Sequence, residues 1–221
     1  EVPNRVAVIG AGAVGLELGS VWSRLGSEVT ICEALTEFLP NADDAVSKEA
    51  LKIFSKQGLN IHLGTEVESL EQVENKVRMT LSNKELGDLE VDKVIFAVGR
   101  KPASEGLFDQ NLGIELEGQG FVKVNEFCQT DVQNIYAIGD LVRGPMLAHK
   151  ASEEGIMVAE KIAGKHYSIN YKNIPFVIYT HPEIAWAGYS EKSALKEDIK
   201  VEVGTFPFQA NARALTSNEG S

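Results

Sequence analysis

The sequence predicts an α/β fold with a mainly parallel sheet in its first part and antiparallel strands toward its end. Short apolar strands alternate with amphipathic helices up to residue 63, which is the order that a parallel sheet requires. Two alternating runs within residues 65–83 then indicate an antiparallel hairpin laid against that sheet. With 221 residues, of which 43% are hydrophobic and 24% charged, the chain can bury a sizeable core.

Hydrophobic periodicity defines the first strand, the first helix and the second strand. Arg5–Ile9 and Glu28–Cys32 are short apolar runs that predict strands. The segment between them, residues 14–25, is predicted to be a helix, and Gly26 ends it as a C-terminal cap. The predicted apolar face of this helix consists of Val14, Leu18, Val21, Trp22 and Leu25.

The following segments complete the predicted sheet. Residues 41–58 are acidic at their start and basic toward their end, which complements the dipole of a second helix. Residues 60–63 form a third strand, and the hairpin turns at residues 74–75. Residues 94–98 are almost continuously apolar, which predicts a central strand buried on both faces.

The rest of the chain is predicted to form two further parts. The predicted domains are therefore residues 1–100, 101–168 and 169–221. In the second, a buried strand ends at Gly139 and Asp140, and a helix covers residues 146–164. In the third, residues 174–190 and 199–208 contain antiparallel strands, and Ser190 caps a short helix between them.

Charge and composition exclude several function classes. The net charge of −11 would repel nucleic acid and anionic membrane surfaces, whereas an acidic face could dock on a basic protein module. There is no apolar run near the roughly 20 residues of a membrane span and no signal segment, so we expect a soluble, intracellular protein. Cys32 and Cys128 are too far apart to indicate a disulfide framework or a metal site. Because the sequence starts at Glu1 and ends in a polar stretch, we expect a piece of a longer chain.

A glycine motif lies between the first strand and the first helix. Gly10 permits a tight turn, Gly12 lets the backbone approach a pyrophosphate, and Gly15 lets the helix pack close to the strand. The helix N-terminus adds free amides and partial positive charge. Glu33 ends the second strand at about the expected distance of 20 residues, so the context predicts a Rossmann-like dinucleotide site. The alternative is a glycine-rich turn without a ligand.

The acid at the end of the second strand selects between two dinucleotides. A carboxylate at Glu33 can accept hydrogen bonds from the adenosine ribose hydroxyls but repels a 2′-phosphate. The following residues, Ala34 to Thr36, supply no arginine that could hold such a phosphate. The sequence therefore predicts binding of NAD rather than NADP.

A second motif, "NIYAIGD", ends at Asp140. By itself this aspartate could simply cap a turn. The helix that follows begins with Met146, Leu147, Ala148 and His149, and its N-terminal amides would favour a negatively charged group such as a reduced flavin ring.

Four segments, in this order and spacing, resemble the dihydrolipoamide dehydrogenases, a family of flavin disulfide reductases. The segments are "GAGAVGLELGSVWSRLGSEVT", "AVGRKP", "IYAIGDLVRGPMLAHKASEEG" and "VIYTHPEIAWAG". The resemblance covers essentially all 221 residues. "PMLAHKASEEG" together with "YTHPEIAW" indicates this family rather than the glutathione or mercuric reductases, which are alternatives within the same group of enzymes.

The resemblance implies cofactors and site residues. The implied NAD contacts are Gly10, Ala11, Gly12, Ala13, Val14, Gly15, Leu16, Glu17, Glu33, Val67 and Gly99. The implied FAD contacts are Asp140, Met146, Leu147, Ala148 and His149. Glu17 matches the family glutamate near the flavin and the nicotinamide, and the alternative is a helix-surface carboxylate facing solvent. The three predicted domains then become NAD-binding, FAD-contacting central, and the start of a truncated α+β dimerisation domain.

Two departures from the family pattern limit what these 221 residues can do. The family has an earlier FAD-binding domain with a CxxxxC redox disulfide, and a later His-Pro motif with a glutamate partner from the other subunit; neither is present. His181-Pro182-Glu183 matches an earlier, structural motif of the family. We therefore expect no catalytic residue and no turnover from these residues alone, and a non-catalytic NAD-binding module is the alternative function.

In the complete enzyme, the resemblance implies oxidation of dihydrolipoamide carried on a lipoyl domain, with hydride transfer through FAD to NAD. It also implies a homodimer and association with the acyltransferase component of 2-oxoacid dehydrogenase complexes. The expected location is the bacterial cytoplasm, with the mitochondrial matrix as the alternative for a eukaryotic protein.

Overall fold

The computed structural model describes residues 1–216, and these form two compact units. The first unit combines residues 1–98 with the chain from Phe176 onward, and the second comprises residues 99–175. The three-domain division remains a proposal, and the last five residues of its third part lie outside the described residues.

A parallel sheet forms the centre of the first unit, as predicted. Its strands and helices are β1 (Arg5–Ile9), α1 (Ala13–Arg24), β2 (Glu28–Cys32), α2 (Asp44–Lys56), β3 (Leu59–His62) and, after the hairpin region, β7 (Lys93–Phe96). The strand order is β3-β2-β1-β7, and all three pairings are parallel. The positions predicted for β1 and β2 are confirmed.

Both faces of the sheet are covered, and alternate residues of each strand contribute to the two opposite faces. Val8 and Ile31 pack in one cluster with Leu16 of α1 and Phe54 of α2. Ala7, with the opposite orientation, belongs to a second cluster. That cluster also contains Cys32, Met79, Leu81 and Val91.

The second cluster is covered by an antiparallel sheet. Its strands are β4 (Val67–Val73), β5 (Lys76–Leu81) and β6 (Leu89–Val91). The predicted hairpin is confirmed, with Glu74 at its turn in the left-handed region (φ 54°).

The strand predicted at residues 94–98 is shorter and lies elsewhere in the sheet. β7 pairs with β1 alone and forms an edge, and Phe96 and Val98 are 65% and 71% exposed. Within the described residues the predicted central position was wrong, although Ile95 and Val94 are partly buried against the two opposite core clusters. Apolar composition indicates a strand but does not specify how many neighbours flank it.

The buried face of α1 also differs from the predicted one. Gly15, Leu16, Gly19 and Ser20 face the sheet, whereas most of the predicted apolar face is exposed. The exposed members of that face are Val14, Leu18, Val21 and Leu25. A Cβ on Gly19 would approach Ile31 Cδ1 to 3.0 Å. Because the helix lies so close to the sheet, small residues occupy its contact face and larger apolar residues do not.

The second unit has little regular sheet. Its elements are β8 (Leu116–Glu117), β9 (Phe121–Val122) and α3 (Ala148–Ile162). The predicted strand before Gly139 was wrong, because only an isolated bridge between Gln129 and Tyr136 forms there. Left-handed backbone at Asn134 and Gly139 brackets this segment and keeps it short.

Two short strands and two short helices continue the first unit. β10 (Phe176–Ile178) and β11 (Ile184–Trp186) pair antiparallel, and the rings of Phe176 and Trp186 stack with centroids 5.2 Å apart. Ser190 caps α4 (Glu191–Lys196) as predicted, and a further helix, α5, covers Ala212–Thr216. The strand predicted within residues 199–208 was wrong, since this segment is exposed and pairs with no described strand. Within residues 1–216, no helix combines the length and apolarity that crossing a membrane requires.

Candidate functional site

The glycine turn after β1 is held by its own close packing. Gly10 donates its N–H to the Cys32 carbonyl at 2.8 Å and has a φ of +104°. A Cβ on Gly10 would lie 2.5 Å from the Ala97 carbonyl oxygen, and one on Gly15 would overlap the Gly10 carbonyl oxygen. Only glycine fits these two positions without backbone movement.

Gly12 differs from the other two glycines because no atom lies within 4 Å of the place where a Cβ would be. Gly12 is also the N-cap residue of α1. No side chain caps the helix and no acid lies in its first turn, so its leading amides keep their partial positive charge. Ala13 and Val14, the first two helical residues, are exposed, whereas Ala11 and Leu16 are buried.

The carboxylate of Glu33 is held beside this turn by two backbone amides. Its Oε2 accepts the Ala11 N–H at 2.7 Å, and its Oε1 accepts the Leu35 N–H at 2.9 Å. The carboxyl ends of adjacent parallel strands lie at the same edge of the sheet, which brings Glu33 at the end of β2 to the turn after β1. Each carboxylate oxygen retains a further lone pair for a ligand hydroxyl.

Two other predicted contacts lie in the first unit. The half-buried Glu17 accepts the Tyr179 backbone N–H on Oε1 at 2.9 Å, so it is not simply a solvent-facing carboxylate. Val67 begins β4 and packs on the cluster that contains Ala7 and Cys32.

The remaining predicted contacts lie in the second unit. Gly99 is exposed with a φ of +110°, and Asp140 is half-buried and pairs with Arg100 at 2.9 Å between Oδ2 and Nη2. Met146 and Leu147 are half-buried just before and at the N-cap of α3, while Ala148 and His149 are its exposed first residues. His149 Nε2 lies 2.7 Å from the Pro175 carbonyl oxygen. As in α1, no side chain caps this helix and no acid lies in its first turn.

The sequence interpretation missed a buried charged pair in α3. Lys150 Nζ lies 3.3 Å from Glu154 Oε1, and the two side chains are 0% and 1% exposed. Both contact the backbone of Gly139, next to Asp140. Helical spacing places Lys150, Glu154 and Met157 on one face of α3. A charged pair four residues apart, on the same face as an apolar residue, was therefore the sequence pattern that could have indicated this burial.

Comparisons with known proteins agree on one family. The profile of the pyridine nucleotide-disulphide oxidoreductases matches residues 1–155, and the profile of their dimerisation domain matches residues 174–221. The chain belongs to this family. Members use FAD and a pyridine nucleotide.

Named relatives are dihydrolipoyl dehydrogenases. The Cupriavidus necator enzyme is 49% identical over 97% of this chain and 46% of its own length. The mitochondrial enzymes of Dictyostelium discoideum and Homo sapiens are each 45% identical, over 99% and 98% of this chain and 46% and 44% of their own lengths. The chain thus spans about half the length of the curated relatives it matches.

A solved structure supports the fold of this chain. The HOCl-induced flavoprotein disulfide reductase of Escherichia coli aligns with a TM-score of 0.89 and 29% identity, over 100% of this chain and 50% of that protein. The predicted α/β fold class is therefore confirmed, together with the resemblance to flavin disulfide reductases.

The residues present fit the two cofactors of a pyridine nucleotide-disulphide oxidoreductase. The open space beside Gly12, at an uncapped helix start, suits a pyrophosphate, and the Glu33 carboxylate beside it suits ribose hydroxyls. In the second unit, Asp140 and the uncapped start of α3 offer an acceptor and a positive helix end to FAD.

The cysteines of this chain have little thiolate character. Both are free and buried, and burial raises the pKa of the Cys32 thiol to about 11. Burial, followed by the nearby Glu154 charge, also raises the pKa of Cys128. Across residues 1–216, no group of three or more histidine, cysteine or acidic side chains is placed to hold a metal ion.

Proposed function

We propose that this chain is the NAD-binding part of a dihydrolipoyl dehydrogenase. The complete enzyme would oxidise dihydrolipoamide to lipoamide and pass a hydride through FAD to NAD. The observation that carries the proposal is the Glu33 carboxylate bonded to the Ala11 amide within the glycine turn. The name shared by the relatives supports the reaction.

In the proposed NAD site, backbone amides bind the pyrophosphate and a side chain binds the ribose. The pyrophosphate would lie over Gly12, against the free amides at the start of α1. Glu33 would accept hydrogen bonds from the adenosine ribose and repel a 2′-phosphate, which favours NAD over NADP. The complete set of proposed contacts is Gly10, Ala11, Gly12, Ala13, Val14, Gly15, Leu16, Glu17, Glu33, Val67 and Gly99.

The second unit would contribute to the FAD site. Asp140 would accept hydrogen bonds from the cofactor, and Met146 to His149 would present the positive end of α3 to it. FAD supplies the redox chemistry that connects a dithiol to a nicotinamide. The protein's part is to bind and orient the two cofactors and to keep water away from them.

The proposed partners follow from the relatives and from charge. The substrate would be dihydrolipoamide on a lipoyl domain, and the enzyme would be a homodimer that binds the acyltransferase component of a 2-oxoacid dehydrogenase complex. A net charge of −11 favours docking on a basic module, and such docking should weaken as salt is added. The relatives include bacterial and mitochondrial proteins; we favour the bacterial cytoplasm.

One observation favours a second candidate, a non-catalytic NAD-binding module. The only cysteines in the sequence, Cys32 and Cys128, are buried and belong to no CxxxxC pair. A dithiol oxidase needs an accessible thiolate pair. The two candidates share NAD binding and differ in whether the protein at its full natural length reduces NAD with dihydrolipoamide.

The decisive experiment is a paired titration of the 221-residue chain with NADH and NADPH. We expect the wild type to prefer NADH. Glu33→Arg should shift the ratio of the two dissociation constants toward NADPH by roughly tenfold or more, because charge-assisted hydrogen bonds are lost and a 2′-phosphate partner is gained. Nucleotide fluorescence provides the measurement.

Glu33→Gln is the matched control. Its amide oxygen can still accept the Ala11 N–H, so the contact with the glycine turn is kept, while the negative charge and the bond to the Leu35 N–H are lost. It should reduce the preference for NADH without reversing it. An unchanged preference in both variants would contradict the assignment of Glu33 as the ribose ligand.

A further inference from the structure

Two side chains of α3 form hydrogen bonds with the backbone N–H and carbonyl of Gly139. Glu154 accepts the Gly139 N–H on Oε2 at 2.7 Å, and Lys150 donates to the Gly139 carbonyl oxygen at 2.9 Å. Lys150 and Glu154 are one helical turn apart and form an ion pair with each other. We call this arrangement of Lys150, Glu154 and Gly139 the clamp.

The loop from Gly139 to Gly144 passes close to α3 and to the aliphatic part of the Lys150 side chain. Gly139 has a φ of +71°, and a Cβ there would lie 3.1 Å from the Ala151 Cβ. At the other end of the loop, a Cβ on Gly144 would lie 3.3 Å from Lys150 Cε. Both glycines have a positive φ, which other residues rarely adopt, and a Cβ at either position would press against α3.

Stability alone does not account for a fully buried ion pair. Removing two charges from water is costly, and apolar replacements of similar size are often equally stable or more stable. The buried polar atoms are nevertheless satisfied, because the Tyr171 hydroxyl donates to Glu154 Oε1 at 3.0 Å. What the charged pair adds over an apolar pair is the direction of its bonds to Gly139.

We propose that Lys150 and Glu154 are positioning residues for FAD, which hold Gly139 so that Asp140 presents its carboxylate before the cofactor binds. The inference rests on the proposed function, in which Asp140 binds FAD. Arg100 holds the same carboxylate through its Oδ2. Asp140 is thus held from two sides, through the preceding Gly139 by α3 and through its own side chain by an arginine.

The clamp also connects the two proposed FAD contacts of this unit. The first turn of α3 follows Met146 and Leu147, and Lys150 and Glu154 lie on the same helix. Because a helix is rigid, the clamp sets the distance between Asp140 and the start of α3. Loss of the clamp should therefore weaken FAD binding while α3 itself stays folded.

The test uses the protein at its full natural length, with its flavin removed. Lys150→Met with Glu154→Leu replaces the clamp by an apolar pair, and Lys150→Gln with Glu154→Gln keeps a donor toward the Gly139 carbonyl and an acceptor for its N–H without the charges. We expect the Met/Leu protein to bind FAD about tenfold or more weakly. Its apoprotein should melt at a lower temperature, because the Gly139 backbone groups lose their partners, but circular dichroism should show it folded at the temperature of the titration. The Gln/Gln protein should bind FAD within about threefold of wild type.

Flavin fluorescence gives the dissociation constants, and hydrogen exchange of the wild-type apoprotein gives a measurement that needs no variant. The peptide containing Gly139 should be protected before FAD is added. A Met/Leu protein that binds FAD like wild type, a Gln/Gln protein as weak as Met/Leu, or a Gly139 amide protected only after FAD binds would each overturn the clamp's role. A wild-type apoprotein that binds no FAD would instead contradict the proposed function itself.

Discussion

At the scale of single residues, the three glycines of the turn after β1 are required for different reasons. Gly10 and Gly15 are enclosed by backbone atoms: a side chain on Gly10 would collide with the Ala97 backbone after β7, and one on Gly15 would collide with the Gly10 carbonyl of the turn. Gly12 has open space beside it and an ordinary φ of −75°. Gly10 and Gly15 therefore preserve the fold, and Gly12 keeps space for a ligand.

This difference gives a prediction for two matched variants. Gly12→Ala should leave the free energy of unfolding nearly unchanged but raise the NADH dissociation constant, because the added methyl group occupies the pyrophosphate space. Gly15→Ala should lower the free energy of unfolding by about 1–3 kcal/mol through overpacking. Urea denaturation and NADH titration measure the two effects. Equal destabilisation by both variants would contradict the distinction.

Cys32 gives a pH-dependent prediction. The folded protein raises its thiol pKa from 9.0 to about 11, so between these values the unfolded state loses the proton first. The free energy of unfolding should then fall with rising pH, by up to about 1.4 kcal/mol per unit, and be unaffected below pH 9. Cys32→Ala should have a lower free energy of unfolding than wild type at pH 8, because packing is lost. This difference should be smaller at pH 10.5, because only the wild type loses stability as the thiol titrates. A deficit that stays constant from pH 8 to 10.5 would contradict the prediction.

At the scale of elements, caps and close packing decide where helices begin and which face they bury. α1 has no side-chain cap, and its buried face consists mainly of small residues rather than large apolar ones. α2 has the opposite design, with a capped N-terminus at Asp43 and Ala50 and Phe54 facing the core. Of these two helices, the uncapped α1 is the one proposed to bind a nucleotide, whose phosphates would take the place of a cap.

The α2 cap can be tested directly. Asp43 accepts the Ala45 N–H on Oδ1 at 3.0 Å and the Glu191 N–H on Oδ2 at 3.2 Å. Asp43→Ala should therefore lower the free energy of unfolding by about 1–2 kcal/mol. Asp44→Ala, one residue later in the first helical turn, removes a similar charge without removing the cap and should cost less than about 1 kcal/mol. Thermal denaturation compares the two, and equal losses would count against the capping role.

At the scale of the whole molecule, binding and turnover should separate. The 221-residue chain should bind NADH but form no NADH from NAD and dihydrolipoamide, because its cysteines are buried and lie in no CxxxxC pair. Absorbance at 340 nm follows the reaction, and circular dichroism checks that the chain is folded. NADH formation that Cys32→Ala or Cys128→Ala abolishes would show that the existing thiols act as the redox pair.

The sequence by itself determined the parallel sheet, its hairpin and the approach of Glu33 to the glycine turn. These follow from local periodicity and from the rule that adjacent parallel strands end at the same edge. Tertiary structure decided the buried face of α1, the edge position of β7, and the contact of Glu17 with Tyr179, 162 residues away.

The burial of Lys150 and Glu154 is the clearest case of such a tertiary decision. Helical spacing places Lys150, Glu154 and Met157 on one face, but charged residues on a helix ordinarily face water. Here Gly139 offers a backbone donor and a backbone acceptor close enough to satisfy both charges. Periodicity identifies residues that share a face, whereas the groups packed against that face determine whether it can be buried.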